Sequence, residues 1–425
     1  MQILAEPGGS AKIRRRKRPK TGGGTGTVAP GKHIAHSRRA RRDGPVRVVV
    51  NALSARRGGM ITYTRNLMQS FRARGVDAVF ALPAGSPLQA EDIETISYPV
   101  TWMSPLSRVI WEQVAWRRIV KKLKPDLMYS SANFGLIGSP VPQILLVREG
   151  GLFDPVYLAA IAPVLGARTL FERMLRRRLI IASARSSDLV LTPTDAMGDL
   201  LRLWAKDLAG RIETNLYGTR HDHFQSTQAH RVWREDGVLR LLLVSAYYAH
   251  KQPGIVAEAV RLLNETGIDA HFTLTMDFDQ IREVQGGSKD AFLLSRGVER
   301  GQVTMLGQVE YGDLPALYAA HDVFITPSLS ETFGHPLVEA MASEALIVAS
   351  DTPVHREVCG DSAAYFSATS IGDIVKTLRA LDAEPTRRDA MLKRAYEIGN
   401  RDYSWEGHVD RLLNYFEAVS AGRAR

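Results

Sequence analysis

Short runs of apolar and β-branched residues alternate with amphipathic segments along the chain from Val46 onward. In the first half, the runs that predict strands are Val46–Val50, Ala78–Leu82, Asp126–Tyr129, Gln143–Val147 and Asp188–Leu191. In the second half they are Leu239–Ser245, His271–Met276, Val303–Leu306, Val323–Thr326 and Leu346–Ala349. Strands that are apolar throughout and separated by helices are typical of a parallel sheet covered on both faces. The pattern therefore predicts an α/β protein with two Rossmann-like, doubly wound domains.

A polar segment around Gly218 separates the two repeats of this plan. We therefore expect an N-terminal domain over residues 46–220 and a C-terminal domain over residues 221–404. A last helix, Trp405–Val419, has apolar residues at helical spacing, and we expect residues 405–425 to pack back toward the N-terminal domain. Because ligands bind at the carboxyl ends of parallel strands, two facing sheets predict a site in the cleft between the domains.

Residues 1–45 form a basic tail. The tail holds twelve Lys or Arg residues and two acidic residues, so it accounts for the whole net charge of +10. It has no aromatic residue and contains the run Gly22–Gly24, and we expect it to be disordered. The remaining chain is neutral, so the net charge does not indicate a basic binding face on the folded part. Two interpretations of the tail stay open, a solvated segment and attachment to a polyanion, for which we expect an anionic membrane surface and not a nucleic acid.

The composition is that of an ordinary globular protein, with 45% hydrophobic and 24% charged residues. Cys359 is the single cysteine, which excludes an internal disulfide and a cysteine-based metal site. No metal site is predicted, because His221-Asp222-His223 has no third ligand at a recognised spacing. No apolar run approaches the length of about 18 residues that a spanning helix needs. We expect a cytoplasmic protein, with association at the inner face of the membrane left open.

The segment Pro327–Ala342, which reads PSLSETFGHPLVEAMA, carries the most informative chemistry. It follows a predicted strand, and Pro336 suits the first position of a helix. The backbone N–H groups of Gly334 and His335 would then be unpaired at the helix start, where the helix dipole adds partial positive charge. Such a helix start is a site for an anion such as phosphate.

Glu331 and Glu339 flank this predicted anion site. Two carboxylates would repel a phosphate, but a carboxylate accepts two hydrogen bonds from the vicinal hydroxyls of a sugar. Either glutamate alone would be explained as a loop acid or a helix-start charge. Together with the anion site, the two carboxylates predict that a sugar nucleotide binds here.

The residues around the two glutamates resemble the signature S-x-x-E-x-F-G-x-P-x-x-E-A-M-A of the family-4 retaining glycosyltransferases, which have the GT-B fold. The matching positions are Ser328, Glu331, Phe333, Gly334, Pro336, Glu339, Ala340, Met341 and Ala342. The resemblance implies that Glu331 lies beside the donor sugar and its departing phosphate, and that Glu339 holds the nucleotide ribose. It also implies that the amides of Phe333, Gly334 and His335 contact the sugar or the diphosphate, in a cleft between two facing domains.

His250-Lys251, after the strand Leu239–Ser245, is similar to the phosphate-binding lysine region of the same family. The similarity implies that Lys251 is catalytic and neutralises the charge that develops on the diphosphate. The partner arginine that the family has five or six residues earlier is missing from this chain. Arg148-Glu149 stands where many relatives have a His-Asp pair that positions the donor sugar.

Other segments extend the resemblance on both sides of the signature. Gly307-Gln308-Val309 resembles the segment whose backbone receives the nucleotide base, which implies that Val309 binds the donor. Gly58 and Gly59, after the first strand, match the N-terminal glycine loop, which implies that they lie near the donor phosphates. Downstream, the residues that resemble the family's S-D-x-P…E-x-x-G continuation are Ser350, Asp351, Pro353, Glu357 and Gly360.

The resemblance implies a retaining hexosyltransferase that uses a nucleotide-diphosphate sugar as co-substrate, with neither a cofactor nor a metal. Its acceptor would be a hydroxyl of a glycan or lipid-linked molecule, and its role would be in bacterial polysaccharide or glycolipid assembly. Two alternatives stay open. One is a nucleotide-sugar epimerase or a phosphorylase on the same scaffold, and the other is a non-catalytic polyanion-binding protein that uses its basic tail.

Overall fold

The structure is a computed structural model that describes residues 45–56, 59–88, 93–103, 105–224 and 232–422. The predicted basic tail, apart from Pro45, lies outside the described residues, and so does Gly58. The chain divides into two compact units between Leu127 and Met128. The predicted domain boundaries near residues 220 and 404 stay predictions.

The first unit contains a parallel arrangement of strands in the order β3-β2-β1. These strands are β1 (Val48–Asn51), β2 (Ala78–Pro83) and β3 (Glu94–Tyr98). Its helices are α1 (Gly59–Ala73), α2 (Pro105–Trp111) and α3 (Arg117–Leu123), and a π-helical turn (Glu112–Trp116) connects the last two. Every residue of β1 and β2 is buried, as expected for strands covered on both faces.

The second unit contains two groups of parallel strands. The first group runs in the order β4 (Leu127–Ser130), β5 (Gln143–Leu146), β6 (Leu189–Thr192) and β7 (Ile212–Thr214). The second group comprises β8 (Leu239–Leu243), β9 (Ala270–Leu274), β10 (Val303–Met305), β11 (Val323–Thr326), β12 (Leu346–Ser350) and β13 (Ala363–Phe366). Its order is β10-β9-β8-β11-β12-β13.

Helices connect these strands. In the first half of the unit they are α4 (Pro155–Ile161), α5 (Ala167–Arg185), α6 (Asp195–Trp204) and α7 (His221–Phe224). In the second half they are α8 (Pro253–Glu265), α9 (Phe278–Glu283), α10 (Ser288–Glu299), α11 (Leu314–Ala319), α12 (His335–Ala342), α13 (Pro353–Cys359), α14 (Ile371–Ala383), α15 (Pro385–Asp402) and α16 (Trp405–Ser420). Among the described residues, no helix combines the length and the apolar character that crossing a bilayer requires.

The strand order of the second group reverses between β8 and β11, which are paired in parallel. The chain winds outward from β8 through β9 to β10, then returns to β11 and continues to β12 and β13. At such a switch point the connections leave in opposite directions, and a crevice opens beyond the carboxyl ends of the two central strands. The segments that follow β8 and β11 are therefore the natural position for a ligand site.

The prediction of parallel α/β architecture is confirmed, and all ten predicted strands are present to within two residues at each end. The prediction missed β3, β7 and β13. These strands lie at the ends of their strand orders and are less uniformly apolar, with half-buried or exposed residues among the buried ones. Because an edge strand has a neighbour on one side only, it does not need the continuous apolar run that marks a central strand.

Helix α16 packs against the first group of strands in the second unit. The ring of Phe416 lies 5.4 Å from that of Tyr129, which is on β4. The hydroxyl of Tyr415 donates to the carbonyl of Thr214 at 3.1 Å. The last described helix therefore covers strands that come much earlier in the chain.

Candidate active site

The two predicted catalytic residues meet at the switch point. Lys251 ends a short 3-10 turn after β8, and Glu331 lies in the loop after β11. The Lys251 ammonium donates a hydrogen bond to the Glu331 carboxylate, and the two side chains are 11% and 12% exposed. A backbone hydrogen bond of 2.8 Å from Leu329 N–H to the His250 carbonyl ties the two segments together. The sequence indicates each of the two residues separately, and the structure shows that they are paired.

The charge of Lys251 controls the ionisation of Glu331. Burial alone would raise the pKa of Glu331, but the positive charge of Lys251, with His250 and His355 nearby, lowers it to about 2. Burial lowers the pKa of His250 to about 4. At neutral pH the site therefore holds an ionised carboxylate against one ammonium group, with a neutral imidazole beside them.

Helix α12 begins beside this ion pair with a glycine that the fold requires. Gly334 has a φ of +84°, in the left-handed region, and a Cβ at this position would lie 2.8 Å from Cδ1 of Leu337. Pro336 follows within the first turn of the helix. The first turn of a helix leaves N–H groups without intrahelical partners, so the predicted anion-binding amides of Gly334 and His335 are at such a helix start.

Glu339 lies further along α12 and is 8% exposed. The hydroxyl of Tyr318, from α11, donates to its carboxylate at 3.0 Å. Burial raises the pKa of Glu339 to about 7, although the Tyr318 hydrogen bond opposes the shift. The second glutamate of the motif therefore titrates near neutral pH.

Aromatic rings surround the start of α12. Phe333 is buried and meets the Tyr217 ring edge-on at 5.4 Å, while His335 stacks on the same ring at 4.9 Å. Burial, with a contribution from Arg148, lowers the pKa of His335 to about 3. The Arg148 guanidinium carbon lies 5.5 Å from the Tyr217 ring centre. His335 is thus a neutral, stacked ring, and its backbone amide is the group that suits an anion.

The remaining predicted donor-binding residues occupy other places. Val309 is half-buried in the loop after β10, and Gly307 in that loop has a φ of +71°. Gly59 is the first residue of α1 in the other compact unit. A Cβ at Gly59 would meet no atom of the described residues within 4 Å, so their packing does not demand glycine there.

The loop that carries Glu331 also contacts the first half of the second unit. A Cβ at Gly150 would lie 2.9 Å from the Glu331 carbonyl oxygen, which leaves room for glycine alone. The hydroxyl of Thr194 donates to the carbonyl of Thr332 at 2.9 Å. These contacts fix the backbone of the Glu331 loop against the segments that follow β5 and β6.

A second connection between the two halves of this unit comes from Glu357 on α13. Its carboxylate accepts hydrogen bonds of 2.7 Å from the backbone N–H groups of both Asp195 and Ala196, at the start of α6. The negative charge matches the partial positive charge of that helix start. Burial raises the pKa of Glu357, and the two N–H groups oppose that rise.

Glu331 also lines a cleft of about 1300 Å³. The cleft lies between α4 and α6 on one side and the segments that follow β12 and β13 on the other, and its lining includes Asp154, Val156, Asp195, Asp351, Tyr365 and Lys376. Lys251 and Glu339 are not part of this lining. Glu331 therefore belongs to the ion pair and also lines the cleft between the two halves of the unit.

Among the described residues, no cluster of three or more His, Cys, Asp or Glu side chains has an arrangement that could hold a metal ion. Sequence reasoning also passed over two residues near the site, Tyr217 and His355. Tyr217 directly precedes Gly218, in the polar segment that separates the two predicted domains. His355 lies three residues after Thr352, and the Thr352 side chain caps α13 by accepting a hydrogen bond from the His355 N–H. The cap spacing is the sequence signal that could have placed His355 on the first turn of a helix.

Two family models match this chain. A model described as "Glycosyl transferases group 1" matches residues 228–398, and one described as "Glycosyltransferase Family 4" matches residues 57–214. With the parallel sheets and the motif residues at the switch point, these matches define a GT-B fold protein. The chain belongs to family 4 of the GT-B glycosyltransferases.

Individual relatives agree with this assignment. The chain is 31% identical over 128 residues to the O-antigen chain mannosyltransferase B of Escherichia coli, a match that covers 30% of this chain and 33% of that protein. The match thus spans a third of the curated relative's length.

Solved structures show the same fold over most of the chain. Sucrose-phosphate synthase from Thermosynechococcus elongatus has a TM-score of 0.70 at 15% identity, covering 88% of this chain and 100% of that one. The Anabaena protein HepE, in complex with UDP and glucose, has a TM-score of 0.66 at 15% identity, covering 88% of this chain and 100% of that one. At these identities the similarity concerns the fold alone.

Proposed function

We propose that the protein is a retaining glycosyltransferase that moves a hexose from a nucleoside-diphosphate sugar to a hydroxyl of a glycan or lipid-linked acceptor. The observation that carries the proposal is the buried Lys251–Glu331 ion pair, which lies at the switch point immediately before the start of α12. An ammonium group and unpaired backbone N–H groups suit a diphosphate, and a carboxylate beside them suits sugar hydroxyls.

In the proposed reaction, the bond between the anomeric carbon and the phosphate oxygen breaks while the acceptor oxygen bonds to the same face of that carbon. The acceptor proton passes to the departing phosphate oxygen, so atoms and charges balance without a covalent nucleophile. Negative charge accumulates on the diphosphate as the first bond breaks. Lys251 and the α12 amides stabilise this charge, and such preorganised groups often make the largest contribution to catalysis.

Glu339 would hold the ribose of the donor by accepting hydrogen bonds from its two hydroxyls. Its pKa of about 7 means that donor binding favours the ionised form and draws the proton off. Val309 would complete the donor site at the nucleotide base. For Gly58 and Gly59, contact with the donor phosphates stays a prediction from the family resemblance. The proposed chemistry assigns no step to a cofactor or a metal.

The relatives suggest where to begin with substrates. The E. coli relative is named a mannosyltransferase of the O-antigen chain, and HepE is named in complex with UDP and glucose. We therefore propose a role in bacterial surface polysaccharide or glycolipid assembly, with mannosyl and glucosyl nucleotides as the first donors to test. Association of the basic tail with an anionic membrane belongs to the same proposal.

A transfer assay tests this function. The purified protein is incubated with GDP-mannose, UDP-glucose or ADP-glucose and with hydrophobic glycosides as acceptors, and release of nucleoside diphosphate is measured with and without acceptor. We expect release that depends on acceptor, and a product whose anomeric configuration, read by NMR, matches the donor. Conversion of the donor to an epimer without acceptor would contradict the proposal and favour an epimerase.

A further inference from the structure

His355, on the first turn of α13, is fully buried next to the Lys251–Glu331 pair and has no part in the mechanism described so far. Its Nε2 atom has no hydrogen-bond partner among the described residues. An unpaired nitrogen in a protein interior costs the full desolvation energy of that atom. The structure must therefore either tolerate the cost or supply a partner.

The surroundings of the other ring nitrogen fix which tautomer is present. Nδ1 lies 2.8 Å from the carbonyl oxygen of Ser350 and 3.1 Å from its hydroxyl oxygen. The Ser350 hydroxyl donates its own proton to the Ser328 carbonyl at 2.5 Å, so both neighbours of Nδ1 are acceptors. Nδ1 must carry the proton, and in a neutral ring Nε2 then presents a lone pair. Burial lowers the pKa of His355, which keeps the ring neutral.

His355 lines a small cavity of about 10 Å³ that Lys251, Glu331 and Thr326 also line. A cavity of this size is near the minimum of about 10 to 15 Å³ that holds one water, and a buried water needs two to four polar partners. The wall offers an ammonium donor, a carboxylate acceptor and the imidazole lone pair. A single water has the groups to match all three, because it can accept from Lys251 and donate to Glu331 and to His355.

We propose that His355 is a positioning residue, and that through one buried water it holds the Lys251–Glu331 pair in place. The ammonium has three donors: one meets Glu331, one meets the water, and the third is left to face the donor diphosphate. The water also gives Glu331 a second anchor, which restrains the carboxylate when an anionic substrate competes for Lys251. The inference rests on the proposed function for its kinetic consequences only.

Two substitutions separate this role from plain packing. In His355→Asn, the side-chain amide can replace Nδ1 at Ser350 but leaves nothing at the position of Nε2. In His355→Gln, the amide reaches the position of Nε2 but loses the contact with Ser350. If His355 acts through Nε2, we expect kcat to fall about tenfold in the Asn variant, with the donor KM within twofold, and to recover to within threefold of wild type in the Gln variant.

A purely structural role through Ser350 predicts the reverse order, with Asn the better replacement. That order, or equal kcat values for the two variants, would overturn the proposal. Circular dichroism of both variants checks that they fold.

A measurement on the unmodified protein keeps the proposal testable if either variant fails to fold. Two-bond ¹⁵N–¹H spectra of histidine-labelled protein report the tautomer, and the signal that disappears in whichever His355 variant folds provides the assignment. We expect a neutral ring protonated on Nδ1, with Nε2 shifted as a hydrogen-bonded acceptor. A ring protonated on Nε2 would overturn the proposal. If the wild-type protein transfers no sugar, the proposed function fails, whereas the tautomer still decides the role of His355.

Discussion

Glu331 and Glu339 are eight positions apart in one motif and are both largely buried, yet their pKa values move in opposite directions. The pKa of Glu331 is lowered to about 2, and that of Glu339 is raised to about 7. Burial acts on both in the same sense, so it does not explain the difference. The difference comes from the partner, which is the Lys251 ammonium for Glu331 and the neutral Tyr318 hydroxyl for Glu339.

The comparison indicates different tasks for the two carboxylates. Glu331 keeps its charge over the whole physiological range and can hold Lys251 in position through many catalytic cycles. Glu339 is close to balance between its two forms, so a ligand that supplies two hydroxyl donors can shift it to the carboxylate. One part of the motif is a fixed electrostatic element, and the other responds to the ligand.

Breaking the ion pair should give the largest effect on stability. Glu331→Gln leaves the buried Lys251 ammonium without its counter-charge, and we expect the free energy of unfolding to fall by about 3 to 5 kcal/mol. Lys251→Met should be similarly costly. The double variant should lose less than the sum of the two, because it removes both charges together. Denaturant unfolding of the four proteins measures this coupling, and strictly additive losses would show that the pair does not interact.

Lys251→Met should also remove the largest share of catalysis. The charge that Lys251 meets grows toward the transition state, so we expect kcat to fall about 10²- to 10³-fold, with a much smaller change in donor KM. Lys393→Met, at an exposed position on α15, is the matched control and should leave kcat unchanged. A Lys251→Met variant with normal kcat and a raised KM would assign Lys251 to ground-state binding instead.

Glu339→Ala should weaken nucleotide binding more than it lowers turnover. Removing hydrogen bonds to a charged group costs about 1.5 to 3 kcal/mol, which corresponds to a loss of about tenfold or more in the affinity for the nucleoside diphosphate. Isothermal titration calorimetry at pH 8, where the wild-type carboxyl is ionised, measures the loss. Unchanged affinity would mean that Glu339 does not hold the ribose.

The two glutamates should affect stability in opposite directions as pH changes. The pKa of Glu339 is above its ordinary value of 4.5. The stability that this carboxyl contributes to the folded state is therefore fully present below about pH 4.5 and is lost as pH rises through 7. The pKa of Glu331 is below 4.5, so the stability that this carboxyl contributes is present above pH 4.5 and is lost as pH falls toward 2.

Thermal unfolding of ligand-free protein between pH 5 and pH 8 tests the Glu339 half of this prediction. The wild type should lose stability relative to Glu339→Gln as pH rises, because the amide does not titrate. A constant difference between the two proteins over this range would show that the pKa of Glu339 is close to its ordinary value.

Tyr318→Phe should give the smallest effect. The variant removes one hydrogen bond to Glu339, worth about 0.5 to 1.5 kcal/mol, and thereby raises the pKa of that carboxyl further. We expect nucleoside-diphosphate affinity at pH 7 to fall about two- to tenfold and to recover partly at pH 8.5. Tyr415→Phe removes a hydroxyl that bonds to Thr214, and it should leave the affinity unchanged. An equal loss in both variants would point to a general loss of stability.

The fold was largely predictable because central parallel strands are buried on both faces, and their sequences are apolar without interruption. The motif also identified Glu331, Glu339 and the helix start, since these residues are close together in the chain. The pairing of Lys251 with Glu331 was not predictable in the same way. It depends on β8 and β11 being neighbours, although about 80 residues separate the two side chains, and no local pattern encodes that adjacency.

The direction in which the pKa of Glu339 shifts was not predictable from the sequence, for a related reason. The sequence places Glu339 near a helix start and indicates no partner for it, whereas the structure buries the carboxyl and gives it a neutral partner. His355 was missed because its environment comes from three separate segments: the end of β12, the loop that carries Glu331 and the turn after β8. A buried polar cluster of this kind becomes visible only when the strand order is known.

The position of α16 has a consequence for how the protein is made. Its Tyr415 bonds to Thr214, which is 201 residues earlier in the chain. At about 5 to 20 residues per second, a ribosome needs on the order of 10 to 40 seconds to add that length. During this interval the nascent strands of the first half have already emerged, but Phe416, whose ring packs against Tyr129, has not yet been synthesised. A chaperone that shields this surface during synthesis should therefore raise the yield of the full-length protein, and less so that of a variant in which Phe416 is replaced by a polar residue.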